Sequence, residues 1–248
     1  MTPARALVTG GSAGLGRAMV LDLEARGYDV VTVDRSEATP RPGSMDVRCD
    51  LSDRAEVDRV LPVLVAAGPF DVVFLNAGAS ATGRFEAIPF EAQRRILQLN
   101  AETPILMATA LAGAGALRGG LCFVSSLSHF TGYPGASAYA ASKDAIAVYA
   151  KSVRRPFAAR GISVTLACPG PLATDHAARH APPGANGSQR MDPERAARSI
   201  VDATLRGRRL VVPGLRAKLV ATVGYVFPGA VTRRMAALIY DRLDGEVW

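Results

Sequence analysis

Short apolar runs alternate with segments of helical period along most of this 248-residue chain, and that alternation leaves few folds open to it. Ala4–Thr9 is an apolar run ending at glycines, Leu15–Arg26 repeats apolar residues at helical spacing, and Asp29–Asp34 is apolar and β-branched again. Further strand-like runs are Met45–Cys49, Val72–Asn76, Gly120–Ser125, Ile162–Ala167 and Arg208–Val212. Helical segments lie between them near 53–67, 90–117, 137–159 and 192–206. Runs that are apolar throughout, and not only at alternate residues, belong to parallel strands covered on both faces. The expectation is therefore an α/β fold, a Rossmann-like doubly wound parallel sheet of about seven strands with right-handed crossovers.

Local signals refine this. Asp53 followed by Glu56 reads as a capping box, and Asp192-Pro193 places a cap residue before proline at the first helical position. Pro156 should kink its helix or end it early. Residues 35–45 are too short and proline-rich for a crossover helix, so that connection is expected to be reduced. Residues 170–191 form a long Gly/Pro-rich stretch after a strand end, the kind of loop that usually serves as a functional lid or is disordered. No repeat, linker or low-complexity tract divides the chain, and half of it is apolar (49%). One domain spanning 1–248 follows, with a substrate loop at 170–191 and a helical C-terminal extension at 213–248.

Thr9-Gly10-Gly11-Ser12-Ala13-Gly14-Leu15-Gly16 joins the first strand to the first helix. Glycines there permit a tight turn and close approach of backbone to a pyrophosphate, and the helix N-terminus offers free N–H groups and a favourable dipole. Asp34 ends the second strand, where a carboxylate accepts hydrogen bonds from adenosine ribose hydroxyls and repels a 2′-phosphate. Arg35 beside it could instead accommodate that phosphate, although neither Ser12 nor Ala13 adds a basic group within the turn. NAD is the expected cofactor, with NADP as the alternative.

Tyr139 and Lys143 stand four residues apart at the start of a helix, so both side chains lie on one face. An ammonium near a phenol favours the phenolate, which would lower the Tyr139 pKa towards the range of a general acid–base.

These motifs, taken in order, resemble the short-chain dehydrogenase/reductase family from Leu7 to about Thr174. The resemblance rests on the TGGSAGLG turn, Asp50-Leu51, Asn76-Ala77-Gly78, Asn100, Ser125-Ser126, Tyr139 with Lys143, and Pro169-Gly170 with Thr174. It implies that Tyr139 exchanges a proton with the substrate oxygen and that Ser126, rather than Ser125, orients that oxygen. Lys143 would hold the nicotinamide ribose, and Asn100 a water linking Lys143 to solvent. Asp50 and Leu51 would contact adenine, Asn76, Ala77 and Gly78 would pack beside the adenosine ribose, and Thr174 would reach the cofactor after Pro169-Gly170. His129, Phe130 and Tyr133 fall where the family builds a substrate wall. Leu75-Asn76 replaces the family's usual paired asparagine, and Pro156 sits in a helix that usually joins subunits, so a homodimer as well as the family's homotetramer is expected.

The net charge of +7 and pI near 9.8 could suit an anionic partner. The arginines are scattered among acidic neighbours, so nucleic-acid binding is not expected. Cys49, Cys122 and Cys168 each lie in or beside an apolar run, which indicates buried reduced thiols, with no disulfide framework and no metal site. Met1–Arg5 runs straight into the first strand, from which no signal peptide and a cytoplasmic location are expected. Leu215–Tyr240 is apolar but broken by Gly224 and Pro228-Gly229 and dotted with cations, too interrupted to span a bilayer. It could cap the site over a bulky lipophilic substrate, rest weakly on an anionic membrane, or pack against another subunit. The leading expectation is an oxidoreductase interconverting an alcohol and a ketone or aldehyde on a hydrophobic small molecule. A catalytically idle dinucleotide sensor and a peripheral membrane protein are the alternatives.

Overall fold

The computed structural model describes residues 3–36, 44–181, 187–243, 245 and 247. Its centre is a seven-stranded sheet, all parallel, in the order β3-β2-β1-β4-β5-β6-β7. The strands are β1 Ala4–Thr9, β2 Tyr28–Asp34, β3 Met45–Arg48, β4 Phe70–Leu75, β5 Leu117–Val124, β6 Ser163–Ala167 and β7 Leu210–Val211. Every strand run expected from the sequence is present, several with shifted ends; β4 and β5 begin two and three residues earlier than expected. The shortened crossover between β2 and β3 falls largely on residues 37–43, outside the described residues.

Successive residues of each inner strand serve opposite faces of the sheet. Ala6 and Val8 pack against α1 (Gly14–Ala25) and, with Phe74 and Cys122, against α8 (Pro193–Leu205). Leu7, Val73, Leu121 and Phe123 pack towards α2 (Arg54–Ala67), α4 (Thr103–Gly113) and α6 (Ser137–Ala158). The three cysteines are buried free thiols, and burial pushes the Cys49 thiol up to about 11 and those of Cys122 and Cys168 up to about 12. They are core residues.

Capping explains several boundaries. Asp192 accepts from the Glu194 N–H with Pro193 next in line. Asp53 caps α2 through the N–H groups of Ala55 and Glu56. The reciprocal half of the expected capping box is rerouted, because Glu56 accepts from the Asp50 N–H at 2.7 Å and not from Asp53. Pro156 is tolerated two residues from the end of α6, which stops at Ala158. The segment read as one helix over 90–117 is instead α3 (Phe90–Leu97), a π-turn over Gln98–Glu102, and α4, which ends before β5 begins. Pro104 opens α4 without an N–H to continue the upstream ladder, and the π-turn takes up the break.

After β7 the chain forms α9 (Leu215–Val226) and α10 (Pro228–Leu238). These lie against the short helix α5 (Ser128–Thr131), which follows directly on β5. A Cβ on Gly224 would fall 2.2 Å from the Phe130 carbonyl oxygen, so α9 seats on α5 only because that position is glycine. The tail then returns across the molecule, and Val247 exchanges two 2.8 Å backbone hydrogen bonds with Thr82.

Phe123 is fully buried in β5 and meets the Tyr149 ring of α6 edge-on at 5.7 Å. Replacing it with alanine should therefore destabilise the protein by ~3–5 kcal/mol in urea unfolding. A loss below ~1 kcal/mol would show that α6 is not anchored to the sheet through this contact.

Candidate functional site

The sheet order reverses between β1 and β4, and a crevice opens at their carboxyl ends. Thr9 Oγ1 accepts from the N–H groups of Asn76 (2.9 Å) and Ala77 (3.0 Å), while Asn76 Nδ2 donates to the Thr9 carbonyl at 3.0 Å. These bonds tie the two strand ends together under the glycine turn. Gly10 has φ +70° and Gly14 φ +53°, conformations that L side chains rarely adopt. A Cβ on Gly16 would lie 1.9 Å from the Gly10 carbonyl oxygen, so the turn can fold this tightly only with glycine there. α1 has no side-chain cap at Ala13 and no acidic residue in its first turn, which leaves its N-terminus available to an anion. Bare backbone on a tight turn is what a dinucleotide pyrophosphate requires, so this cradle fits the cofactor implied by the sequence.

Asp34, at the end of β2, reaches back to the same turn. Its carboxylate accepts from the Ser12 N–H (3.1 Å), the Ser12 hydroxyl (2.6 Å) and the Ser36 N–H (3.1 Å). Arg35 is exposed and helps draw down the Asp50 pKa. Burial pushes Asp50 up, but the Ser52 hydroxyl and N–H, with Arg95 and Arg35, outweigh it. Leu51 is buried, its carbonyl held by Thr103 Oγ1 at 2.8 Å. On the far side, Thr174 caps α7 (Asp175–Arg179) and brings its methyl against Gly14, where a Cβ would lie 3.3 Å away. The Pro169 carbonyl accepts from Leu127 N–H at 2.8 Å, and Gly170 lies beside Leu127 and Ala217.

Ser125 and Ser126 point to different places. Ser125 is buried and donates to the Lys143 carbonyl at 2.8 Å. Ser126 Oγ accepts from the Ser128 N–H at 3.2 Å, and its hydroxyl lies near enough to the Tyr139 phenol to favour the phenolate. The two serines thus have different partners, Ser125 the Lys143 carbonyl and Ser126 the Ser128 N–H.

Lys143 is 4% exposed, and its ammonium donates to the Val124 carbonyl at 3.0 Å. Burial pushes its pKa down to about 8. The nitrogen sits 5.8 Å from the Tyr139 ring centre. The expected lowering of Tyr139 is not found. Burial raises the phenol, the Ser126 hydroxyl only partly offsets this, and Lys143 is turned towards the strand carbonyl. A spacing of four brings the two residues together but does not set where the ammonium points. The phenol is therefore the protonated form at neutral pH.

Asn100 stands in the π-turn, not in a continuous helix, and is 2% exposed. Both amide hydrogens are engaged, by the Ala79 carbonyl (2.9 Å) and Ser142 Oγ (3.0 Å), and Oδ1 accepts from the Ala79 N–H at 2.9 Å. One lone pair of Oδ1 is left. A Cβ on Gly78 would lie 3.1 Å from both Asn100 Oδ1 and Lys143 Nζ, so Gly78 is the gap across which these two groups face each other.

Two residues that the sequence did not single out, His176 and His180, join this part of the site through Tyr133. The Tyr133 ring, expected only as part of a wall, stands edge-on to Tyr139 at 6.3 Å, and its hydroxyl donates to the His180 carbonyl at 3.0 Å. His180 pairs with Thr82 Oγ1 at 3.2 Å, and its ring lies tilted by 50° against that of His176, 4.7 Å between centres. Burial, with His180, Arg179 and Lys143 nearby, pushes His176 down to about 4, so it is neutral at physiological pH. The His-x-x-x-His spacing in the 170–191 loop was the available signal for this pair. Residues 182–186 of that loop lie outside the described residues. Among the described residues, no three His, Cys, Asp or Glu side chains are placed to hold a metal ion.

Residues 4–183 match the family model described as short chain dehydrogenase. An uncharacterized oxidoreductase of Myxococcus xanthus is 33% identical over 182 residues, covering 66% of this chain and 70% of the relative. The 3-oxoacyl-(acyl-carrier-protein) reductase MabA of Mycobacterium tuberculosis is 29% identical over 172 residues, covering 68% of this chain and 69% of the relative. A crystal structure of a short chain dehydrogenase from Burkholderia cenocepacia in complex with NADP superposes with a TM-score of 0.80 at 24% identity, covering 94% of this chain and 97% of that one.

Lys143 also predicts a pH dependence of stability. Below pH ~8 both folded and unfolded chains hold the proton, and the cost of burying the cation is present in full. Between ~8 and ~10.5 only the unfolded chain holds it, so this contribution makes the fold more stable as pH rises. Lys143→Met lacks that rise, so the stability of wild type relative to Lys143→Met should increase from pH 7 to pH 10 (roughly the window of) in chemical denaturation. Parallel pH profiles would contradict the buried-cation account.

Proposed function

The chain belongs to the short-chain dehydrogenase family, and from that premise we propose that it interconverts an alcohol and a ketone or aldehyde on a hydrophobic substrate, with NAD(H) as the hydride carrier. The observation that carries this reading is the meeting of the Ser126 and Tyr139 hydroxyls, with Lys143 beneath them, at the edge of a crevice whose glycine turn fits a dinucleotide. A bound nicotinamide cofactor would supply the hydride chemistry.

The chain's own residues have separable tasks. Ser126 holds and orients the substrate oxygen, and Tyr139 gives that oxygen a proton during reduction or takes it during oxidation. A phenol whose pKa is raised is already the acid, so the site as folded suits proton donation to a carbonyl. Lys143 would hold ribose hydroxyls, and the free lone pair of Asn100 faces it across Gly78, where a proton relay to solvent would run. Asp34 sits at the turn, where a carboxylate disfavours a 2′-phosphate. The exposed Arg35 supports NADP as the second reading.

Support for an apolar substrate comes from the wall around Tyr139. Ala81, Ile88 and Ile96 pack against Tyr139, and Tyr133 closes another side. A relative that reduces 3-oxoacyl chains, as its name states, fits a ketone carried on a carbon chain.

The test is turnover of NADH against a panel of lipophilic ketones, with Tyr139→Phe alongside wild type. The variant should lose roughly 100- to 10,000-fold in kcat while its NADH affinity changes by less than about twofold. Undiminished turnover in Tyr139→Phe would remove Tyr139 from the reaction.

A further inference from the structure

The C-terminal helix α9 presents its large apolar residues to solvent and its small ones to the protein. Ala217, Ala221 and Gly224 form the inward stripe of α9, against Leu127, Gly170 and the Phe130 carbonyl. Leu215, Leu219, Val223 and Val226, at positions i, i+4, i+8 and i+11, form the opposite stripe. Leu215 is 84% exposed and Leu219 66%, and the corner between α9 and α10 exposes Tyr225 at 78% and Phe227 at 61%. A stripe of this kind is unfavourable in water unless something covers it.

The charges indicate what covers it. Residues 215–238 include Arg216, Lys218, Arg233 and Arg234 and no aspartate or glutamate. At 100° per residue, Arg216 and Lys218 fall on either side of the leucine stripe, where long basic side chains can lay their stems on apolar surface and extend their charges to headgroups. A two-fold contact between copies of this chain would press the patch against itself and set these cations against one another, since 215–238 supplies no carboxylate of its own. An anionic lipid surface offers both apolar depth and negative charge.

We propose that α9 and the α9–α10 corner dock the protein on anionic phospholipid bilayers, with the Leu215/Leu219/Val223/Val226 stripe and Phe227 inserted at the interface and the four cations at headgroup level. No helix of the described residues is long and apolar enough to cross a membrane, so the contact is peripheral. Because the inner face of α9 touches Gly170 and Leu127, docking sets the crevice one helix diameter, ~10 Å, from the lipid. The inference goes beyond the proposed reaction and does not depend on it.

The experiment is co-sedimentation with phosphatidylcholine vesicles and with vesicles containing about one-third phosphatidylglycerol, together with solution mass by light scattering. Wild type should bind the anionic vesicles at least about tenfold more tightly than the neutral ones, and roughly 0.5 M salt should weaken that binding. Leu219→Asp/Val226→Asp and, separately, Arg216→Glu/Lys218→Glu should each lose about tenfold or more of it. Both pairs are exposed, so thermal midpoint, NADH binding and solution mass should stay unchanged. No binding to anionic vesicles, or equal binding to both kinds, would overturn the proposal. So would a Leu219→Asp/Val226→Asp variant that turns an oligomer into a monomer while vesicle binding persists, since the stripe would then be covered by a second copy.

Discussion

The site depends on how two neighbouring parallel strands are held at the point where their connections diverge. Thr9 and Asn76 exchange hydrogen bonds between side chain and backbone in both directions, so the ends of β1 and β4 stay in register while the chain leaves them on opposite faces. Each such bond is worth only about 1 kcal/mol net, but none of these polar groups could be left buried and unpaired without a larger cost. The glycine turn rests on this clamp. Gly10 lies against Ala77, Gly16 against the Gly10 carbonyl, and Asp34 gathers Ser12 from the neighbouring strand. The result is a rigid edge of bare N–H groups beside an anchored carboxylate.

A second balance operates at Lys143 and Tyr139. Sequence spacing alone argues for an ammonium that drags the phenol towards ionisation. In the folded chain burial acts on both groups, disfavouring the lysine cation and the tyrosine anion alike, and the Val124 carbonyl takes the ammonium. Desolvation is the largest influence on both groups, with the ammonium turned to the strand carbonyl and 5.8 Å from the phenol ring centre. The pair is thereby held with a protonated phenol above a lysine whose pKa lies near neutrality.

Much of this was legible in the residues. Unbroken apolar runs could only be strands covered on both faces, and the glycines after β1 marked the turn whose Cβ clashes the structure displays. The interval to Tyr139 favoured Ser126 over Ser125, and Ser125 is turned to the Lys143 carbonyl. What stayed hidden depended on contacts between distant segments. His176 and His180 reach Tyr133 and Thr82 only because the loop after β6 folds back, which no local period records. The π-turn at Asn100 lies where Pro104, four residues on, has no N–H to continue the ladder. In α9 an apolar pattern ordinarily points large residues inward; here a glycine against the Phe130 carbonyl admits only small residues, and the large ones face out.

The central claim is that this crevice is built for a dinucleotide, with Asp34 deciding which one. It is tested most directly by calorimetric titration of the purified protein with NADH and with NADPH. The account predicts NADH binding tighter by about tenfold, or ~1.4 kcal/mol. Binding of neither would contradict the assignment of the crevice, and tighter binding of NADPH would mean that Arg35 outweighs Asp34.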